Sequence, residues 1–202
     1  MPVIFDSSQS DELILEGIVV SCDPSGRANI APMGPRVDRD LTSFVLRPFR
    51  TSTTYQNLKA NGRCVFHVID DVELLARAAV GAGSSEPPLA AIDNFSCPRL
   101  ADTCRWFALQ VESCDDATER ATIQCRVVER GDVRPFWGFN RAKHAVLEAA
   151  ILATRIGIVA EDEIRREMER LAIPVQKTAG QQERRAFVFL EDYIATQLKT
   201  GK

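Results

Sequence analysis

Short apolar blocks and alternating apolar and polar positions fill the first two thirds of the chain, whereas the last third repeats its apolar residues at helical spacing. ELILEGIVVSC (12–22) is rich in Ile, Leu and Val, and DPSG at 23–26 supplies turn residues before RANIAPMG (27–34), so the pattern predicts a hairpin. TSFVLRP (42–48) and RCVFHVID (63–70) predict two further strands. Between them a short helix starts within RPFRTSTTYQNL (47–58) and stops at Asn61-Gly62. DVELLARAAVG (71–81) has apolar residues at helical spacing, and GAGSSEPP (81–88) reads as an exposed loop crossing to the next strand. RWFALQVESCDD (105–116) and RATIQCRVVERG (120–131) alternate as a long antiparallel pair.

After Arg134 the period changes. FNRAKHAVLEAAILATRIG (139–157), EDEIRREMERLAI (161–173) and QQERRAFVFLEDYIATQLK (181–199) predict three helices, with Pro174 ending the second. The expectation is an α+β, mainly β chain: a barrel or sandwich over residues 1–133 and a helical C-terminal portion over 134–202.

Composition narrows the function classes. A chain of 202 residues, 45% hydrophobic and 26% charged, is ordinary globular material, and its apolar runs are too short to span a bilayer. The start lacks the pattern of a secretory signal, which makes the cytoplasm the expected location. Six cysteines without a C-x-x-C pair, and only two histidines, argue against a metal site and read as mostly buried thiols of a reducing compartment. A net charge of −3 with no lysine-rich run argues against nucleic acid as a partner. An anion bound here should be small and held in a defined pocket.

Candidate chemistry concentrates in three stretches. Thr53 and Gln56 have capping-box spacing. That leaves Arg50, Thr51, Ser52 and Thr54 without a task, and hydroxyls, a guanidinium and a helix N-terminus are what a phosphate monoester needs. Asn57, one turn on, could add an amide donor from the same side. NIAPMG (29–34) is a strand interrupted by proline, which implies an edge or a bulge with free backbone groups. Projected at about 100° per residue, Asn140, Arg141, His144, Glu148 and Arg155 share one stripe of the third-part helix, opposite a face made largely of alanines. That stripe is either a solvated face or a ligand-facing one, and Asn, His and Arg are the groups that recognise planar or anionic ligands. His67 reads as a satisfied core or interface histidine, and Trp106 and Trp137 read as packing residues. No nucleophile elbow, P-loop or G-x-G-x-x-G turn is present in the sequence.

The combination of N-x-A-P-M-G, then R-P-F-R-T-S-T-T-Y-x-N-L, then VFHVID resembles the FMN-binding split β-barrel superfamily of flavin reductases and pyridoxamine-phosphate-oxidase-like proteins. The helix motif F-N-R-A-K-x-A-V-L-E-A-x-I-L-A-T-R, here Phe139 to Arg155, makes the chain similar to the DUF447 family over nearly its whole length. The resemblance implies an FMN-binding split β-barrel with a helical C-terminal portion, the barrel domain over 1–133 and the helical domain over 134–202. It implies a homodimer with FMN at the interface. The cofactor-binding residues it implies are Asn29, Ala31, Pro32 and Met33 along the isoalloxazine ring and Arg50, Thr51, Ser52, Thr53 and Asn57 at the phosphate, with Asn140 completing the pocket.

The expected function is that of a flavin-dependent oxidoreductase passing a hydride or electrons between a reduced carrier and a small substrate. No obligatory catalytic acid needs to appear, because the flavin carries the bond-making. Arg141, Arg155 and His144 are the candidate catalytic or substrate-binding residues, for an anionic substrate or for reduced flavin, and His144 could move a proton. A non-catalytic flavin-binding or sensing protein is the alternative of a different class. A third is a split barrel that holds haem or the deazaflavin F420.

Overall fold

The computed structural model describes residues 13–82 and 87–200; Glu12 of the first expected strand and residues 83–86 of the expected loop lie outside them. The chain divides into two compact units, one of 13–68, 89–101 and 105–132 and the other of the remaining described residues. The helical unit therefore takes in residues 69–82 and 102–104 as well as the chain from Val133 onward.

The first unit is built on an antiparallel sheet of eight strands. In chain order these are β1 (Leu13–Ile14), β2 (Gly17–Cys22), β3 (Ala28–Met33), β4 (Arg36–Val37), β5 (Ser43–Leu46), β6 (Arg63–Val68), and the long β9 (Arg105–Asp115) and β10 (Thr122–Asp132). Their spatial order is β1-β4-β5-β10-β9-β6-β2-β3. Between β6 and β9 the chain also makes a separate hairpin, β7 (Leu89–Ile92) and β8 (Phe95–Leu100). This hairpin escapes the sequence reading because Pro98 interrupts its second strand; it turns on Asp93-Asn94, with Asn94 at φ 57°.

Both faces of the sheet centre are covered, which is why β2 is buried at all six positions instead of alternating. On one face Val19, Phe44, Leu46, Phe66, Phe107 and Ile123 form the core, with the Phe44 ring 5.4 Å from that of Phe66 and 5.2 Å from that of Phe107. The helix α1 (Thr53–Asn61) closes this core with Tyr55 and Leu58 and ends on Gly62 at φ 63°, as its sequence predicts. On the other face β8 is tied to β6: the Leu100 N–H donates to His67 Nε2 at 3.0 Å. His67 Nδ1 lies 3.2 Å from the Ile18 carbonyl, so the ring is the Nδ1–H tautomer and both nitrogens are satisfied. The expected DPSG turn is present, with the Asp23 carboxylate accepting from the Ser25 and Arg27 N–H groups and Gly26 at φ 87°.

The second unit holds α2 (Val72–Ala79), α3 (Arg141–Ala153), α4 (Glu161–Thr178) and α5 (Gln181–Thr200). Ala142, Ala145, Ala149, Ala150 and Ala153 form the buried face of α3, whose small side chains allow its close packing with α4 and α5. Pro174 does not end α4, contrary to the sequence expectation. The turn beyond it is held by tertiary bonds: the Thr178 carbonyl accepts from Asn140 Nδ2 at 3.1 Å and its hydroxyl accepts from the Ala142 N–H at 3.1 Å. No helix among the described residues is long and apolar enough to cross a membrane.

Candidate functional site

The segment before α1 is pinned to the chain between β9 and β10. Pro48 O accepts from the Ala121 N–H at 3.0 Å, the Arg50 N–H donates to Glu119 O at 3.0 Å, and the Arg120 guanidinium lies 4.0 Å over the Phe49 ring. The helix then begins one residue earlier than a Thr53–Gln56 capping box requires. Ser52 is the N-cap, its Oγ accepting from the Tyr55 N–H at 3.2 Å and donating to Phe49 O at 2.7 Å. Tyr55 occupies the third helical position, where a reciprocal box needs Glu or Gln, so the box is not formed. Ser52, expected among the phosphate donors, thus has its hydroxyl hydrogen committed to the backbone.

The neighbouring hydroxyls divide by side. Thr54 is buried, and its Oγ1 accepts from Asn29 Nδ2 at 3.1 Å. Thr51, Thr53 and Arg50 are exposed. Among the described residues, the Thr51 and Thr53 hydroxyls and the Thr53 and Thr54 N–H groups have no hydrogen-bond partner, as the first turn of a helix leaves its donors. Asn57, expected on the phosphate side, is 4% exposed and faces the sheet, with its Nδ2 donating to Ser21 Oγ at 3.1 Å. It fastens α1 to β2.

One turn on, Tyr55 OH donates to Asp116 Oδ2 at 2.5 Å and Lys59 Nζ reaches the same oxygen at 2.6 Å. These two hydrogen bonds, Lys59 first, hold the Asp116 carboxyl down at about 2. The arrangement clamps the first turns of α1 to the end of β9.

Asn29, Ala31, Pro32 and Met33 all lie half-buried on β3, the terminal strand of the sheet order. Pro32 pairs with Ile18 of β2, so the interrupted strand is an edge, and its outer side has no strand partner among the described residues. The Asn29–Thr54 bond joins this edge to the first turn of α1. Two of the three candidate stretches therefore come together within the first unit.

The third stretch lies in the second unit. Asn140 is the N-cap of α3: its Oδ1 accepts from the Ala142 and Lys143 N–H groups at 2.8 and 3.2 Å, while its Nδ2 donates to Thr178. Arg141 and His144 are exposed on the first turn, and the His144 ring lies nearly parallel to Phe139, 18° apart with centroids at 6.1 Å. Arg155 is not on their stripe, because α3 ends at Ala153 and the chain turns at once through Gly157 at φ 82°. The helical projection does not extend to it.

Sequence reasoning also missed an aromatic tip. Trp137, expected in packing, is 86% exposed and Phe139 is 94% exposed. The tip is braced from beneath: Asp70 accepts Arg134 at 2.6 Å and the Trp137 N–H at 3.2 Å. The Gly138 φ of 97° between the two aromatic residues is the one sequence signal that a backbone turn stands there. Trp106, by contrast, is buried as expected. Among the described residues no group of three or more His, Cys, Asp or Glu side chains could hold a metal ion.

No curated protein matches the chain. Among solved structures, an FMN-bound protein from Methanosarcina mazei superposes with a TM-score of 0.78 at 21% identity over 90% of this chain and 95% of that one. The flavin reductase of styrene monooxygenase from Pseudomonas putida S12 matches with a TM-score of 0.50 at 16% identity, over 60% of this chain and 82% of that one. A 2-nitrobenzoate 2-nitroreductase from Pseudomonas fluorescens matches with a TM-score of 0.51 at 16% identity, over 59% and 65%. The fold is thus α+β, the split β-barrel of flavin reductases with a helical C-terminal portion. The N-terminal domain model of the protein of unknown function DUF447 matches residues 15–134 and a second DUF447 model matches 140–192, so the chain belongs to the DUF447 family.

Proposed function

We propose that this chain binds FMN and acts as a flavin-dependent oxidoreductase on a small substrate. The observation that carries the reading is the first turn of α1, where the Thr53 and Thr54 N–H groups have no hydrogen-bond partner among the described residues and the exposed Thr51, Thr53 and Arg50 side chains stand beside them, next to the β3 edge. This donor set fits a phosphate monoester: unpaired helix N–H groups, neutral hydroxyls and one delocalised cation. Ser52 and Asn57 shape the site through the bonds they make to Phe49 and Ser21. The open edge of β3 from Asn29 to Met33 offers backbone groups to the polar rim of the ring. Bound FMN supplies hydride or electron transfer, and the chain supplies binding and orientation. The FMN-bound family member from Methanosarcina mazei and the flavin reductase neighbours support the assignment.

The functional unit in this reading is a homodimer with FMN at the interface. Exposed Trp137 and Phe139 support it, since braced aromatic side chains in water mark surfaces that something covers. Exposed Arg141 and His144 beside that tip suit an anionic substrate or carrier. Asn140, whose side chain caps α3, positions that turn. Free thiols throughout the described residues agree with a reducing compartment, and we assign the cytoplasm.

The test is a pair of titrations. Wild-type protein should bind FMN much more tightly than riboflavin, and changing Arg50 and Thr51 together to Ala should cut FMN affinity at least tenfold while leaving riboflavin affinity within about twofold. Equal affinity of the wild type for both ligands, or an equal loss in the variant, would remove the phosphate assignment. Reduction of the bound flavin by NADH or NADPH, followed by acceptor-dependent reoxidation, separates an enzyme from a flavin sensor.

A further inference from the structure

Cys22, the last residue of β2, and Cys97, in the middle of β8, bring their sulfurs to 3.4 Å although 75 residues separate them. Both are free thiols. The Cys97 S–H points to the Val20 carbonyl at 3.2 Å, so the short contact between the sulfurs is made by the Cys22 hydrogen directed at a Cys97 lone pair. That lone pair is already aimed at the Cys22 sulfur. The pair also lines the floor of a solvent-open cleft of about 380 Å³, together with Asp23, Asn61, Arg63 and Gln110. Most buried cysteines lack both features: a second sulfur in contact and a polar opening to solvent.

We propose that Cys22 and Cys97 form a redox-active dithiol site, which a small hydroperoxide entering the cleft oxidises to an intramolecular disulfide. Cys22 is the thiol that reacts first, being 4% exposed against 1% for Cys97. Burial, and then the neighbouring Cys22, hold the Cys97 thiol well above the ordinary thiol range, which argues against Cys97 as the thiol that meets the peroxide first. In the first step the Cys22 thiolate attacks the outer peroxide oxygen, the O–O bond breaks, an alcohol leaves with the thiol proton, and Cys22 becomes a sulfenic acid. In the second the Cys97 sulfur attacks the Cys22 sulfur, the S–O bond breaks, and hydroxide leaves as water with the Cys97 proton. The two thiols together lose two electrons and two protons, and the hydroperoxide takes them up. The product ties the end of β2 to β8, closing a long loop that folding otherwise leaves unlinked.

The experiment uses the full chain, reduced and then freed of reductant. After brief treatment with hydrogen peroxide the protein is denatured in N-ethylmaleimide and digested without reduction. The expected result is a cross-linked peptide joining Cys22 to Cys97, two fewer alkylated thiols and an intact mass lower by about 2 Da before alkylation, the two hydrogens of the disulfide. In Cys97→Ser, shown to be folded by its far-ultraviolet circular dichroism, dimedone should label Cys22. The exposed Cys114 is the internal control, since its oxidation shows that the oxidant has reached the protein. Full alkylation of both Cys22 and Cys97 after treatment that has oxidised Cys114 would overturn the proposal, as would a folded Cys97→Ser variant without a dimedone adduct at Cys22.

Discussion

Asn29 donates its side-chain amide to Thr54 Oγ1 at 3.1 Å, and this bond links the open edge strand to the first turn of α1. In the proposed FMN site these two elements would face the ring and the phosphate, so their separation would set the size of ligand that reaches both. Asn29→Ala should cost about 1 kcal/mol of stability, the net value of one hydrogen bond. It should also weaken FMN binding severalfold, because the two halves of the site lose their tie. Urea unfolding and FMN titration read the two effects separately. A stability loss with unchanged FMN affinity would make the bond structural only.

Gly17 stands where β2 crosses closest to β6. A Cβ there would lie 2.2 Å from the His67 carbonyl oxygen and 2.6 Å from Phe66 Cζ, both within a sheet that is buried on each face. Gly17→Ala should therefore cost about 3 kcal/mol, at the upper end of overpacking, since backbone and not a side-chain tip must move. Gly34→Ala is the contrast. Its nearest neighbours are the ends of the Glu16 and Ile14 side chains at 2.7 and 2.9 Å, which can swing away, so its cost should be clearly smaller in the same urea series.

These contacts also show what a sequence can and cannot reveal. The β2–β3 hairpin and the stop of α1 are legible because Asp23, Gly26 and Gly62 act locally, each through a turn or cap it makes with residues within four positions. The hydroxyl cluster is legible as a helix start, but not its division of labour. Which of Thr51 to Thr54 caps, which is buried and which is open depends on where the helix starts, and one residue of shift reassigns them all. Asn57 turns inward because Ser21 of a distant strand offers its hydroxyl. Pro174 fails to stop α4 because Thr178 is held by Asn140 and Ala142, a tertiary reason that no local propensity contains. The exposure of Trp137 is hidden for a similar reason: its place is set by Asp70, far back in the chain.

Lys143 and Glu183 form the ion pair that joins α3 to α5, at 3.0 Å with side chains only 18% and 9% exposed. Lys143 also donates to the Asp70 carbonyl, and the second Glu183 oxygen accepts from the Gly180 N–H at 2.9 Å. Burial pushes the Glu183 carboxyl up, but Lys143 and the N–H donors outweigh it and hold the group below the ordinary range. Lys143→Met leaves that carboxylate buried without its partner and should cost about 3 kcal/mol. Glu183→Gln keeps an acceptor for Gly180 and should cost less. Thermal unfolding of the two variants at neutral pH tests the order, and an equal loss would mean that the charge is not what matters.

His67 gives stability a pH dependence of known sign. Burial holds its imidazole down at about 4, against 6.5 for the free side chain that the unfolded chain regains. Between those values the unfolded chain binds a proton that the folded chain refuses, because the Nε2 lone pair is taken by the Leu100 N–H and the ring has no water around it. The contribution is therefore complete above pH 6.5 and is lost as the pH falls towards 4. Integrated over that titration, the folded state should be about 2 kcal/mol less stable at pH 5 than at pH 7. His67→Gln should be less stable than the wild type at pH 7, since it loses ring packing between β6 and β8. It should nevertheless lose most of the slope between the two pH values, because nothing at that position can then be protonated. Urea midpoints at pH 7 and pH 5 for both proteins decide the matter: a slope retained in full by His67→Gln would assign the protonation to another group.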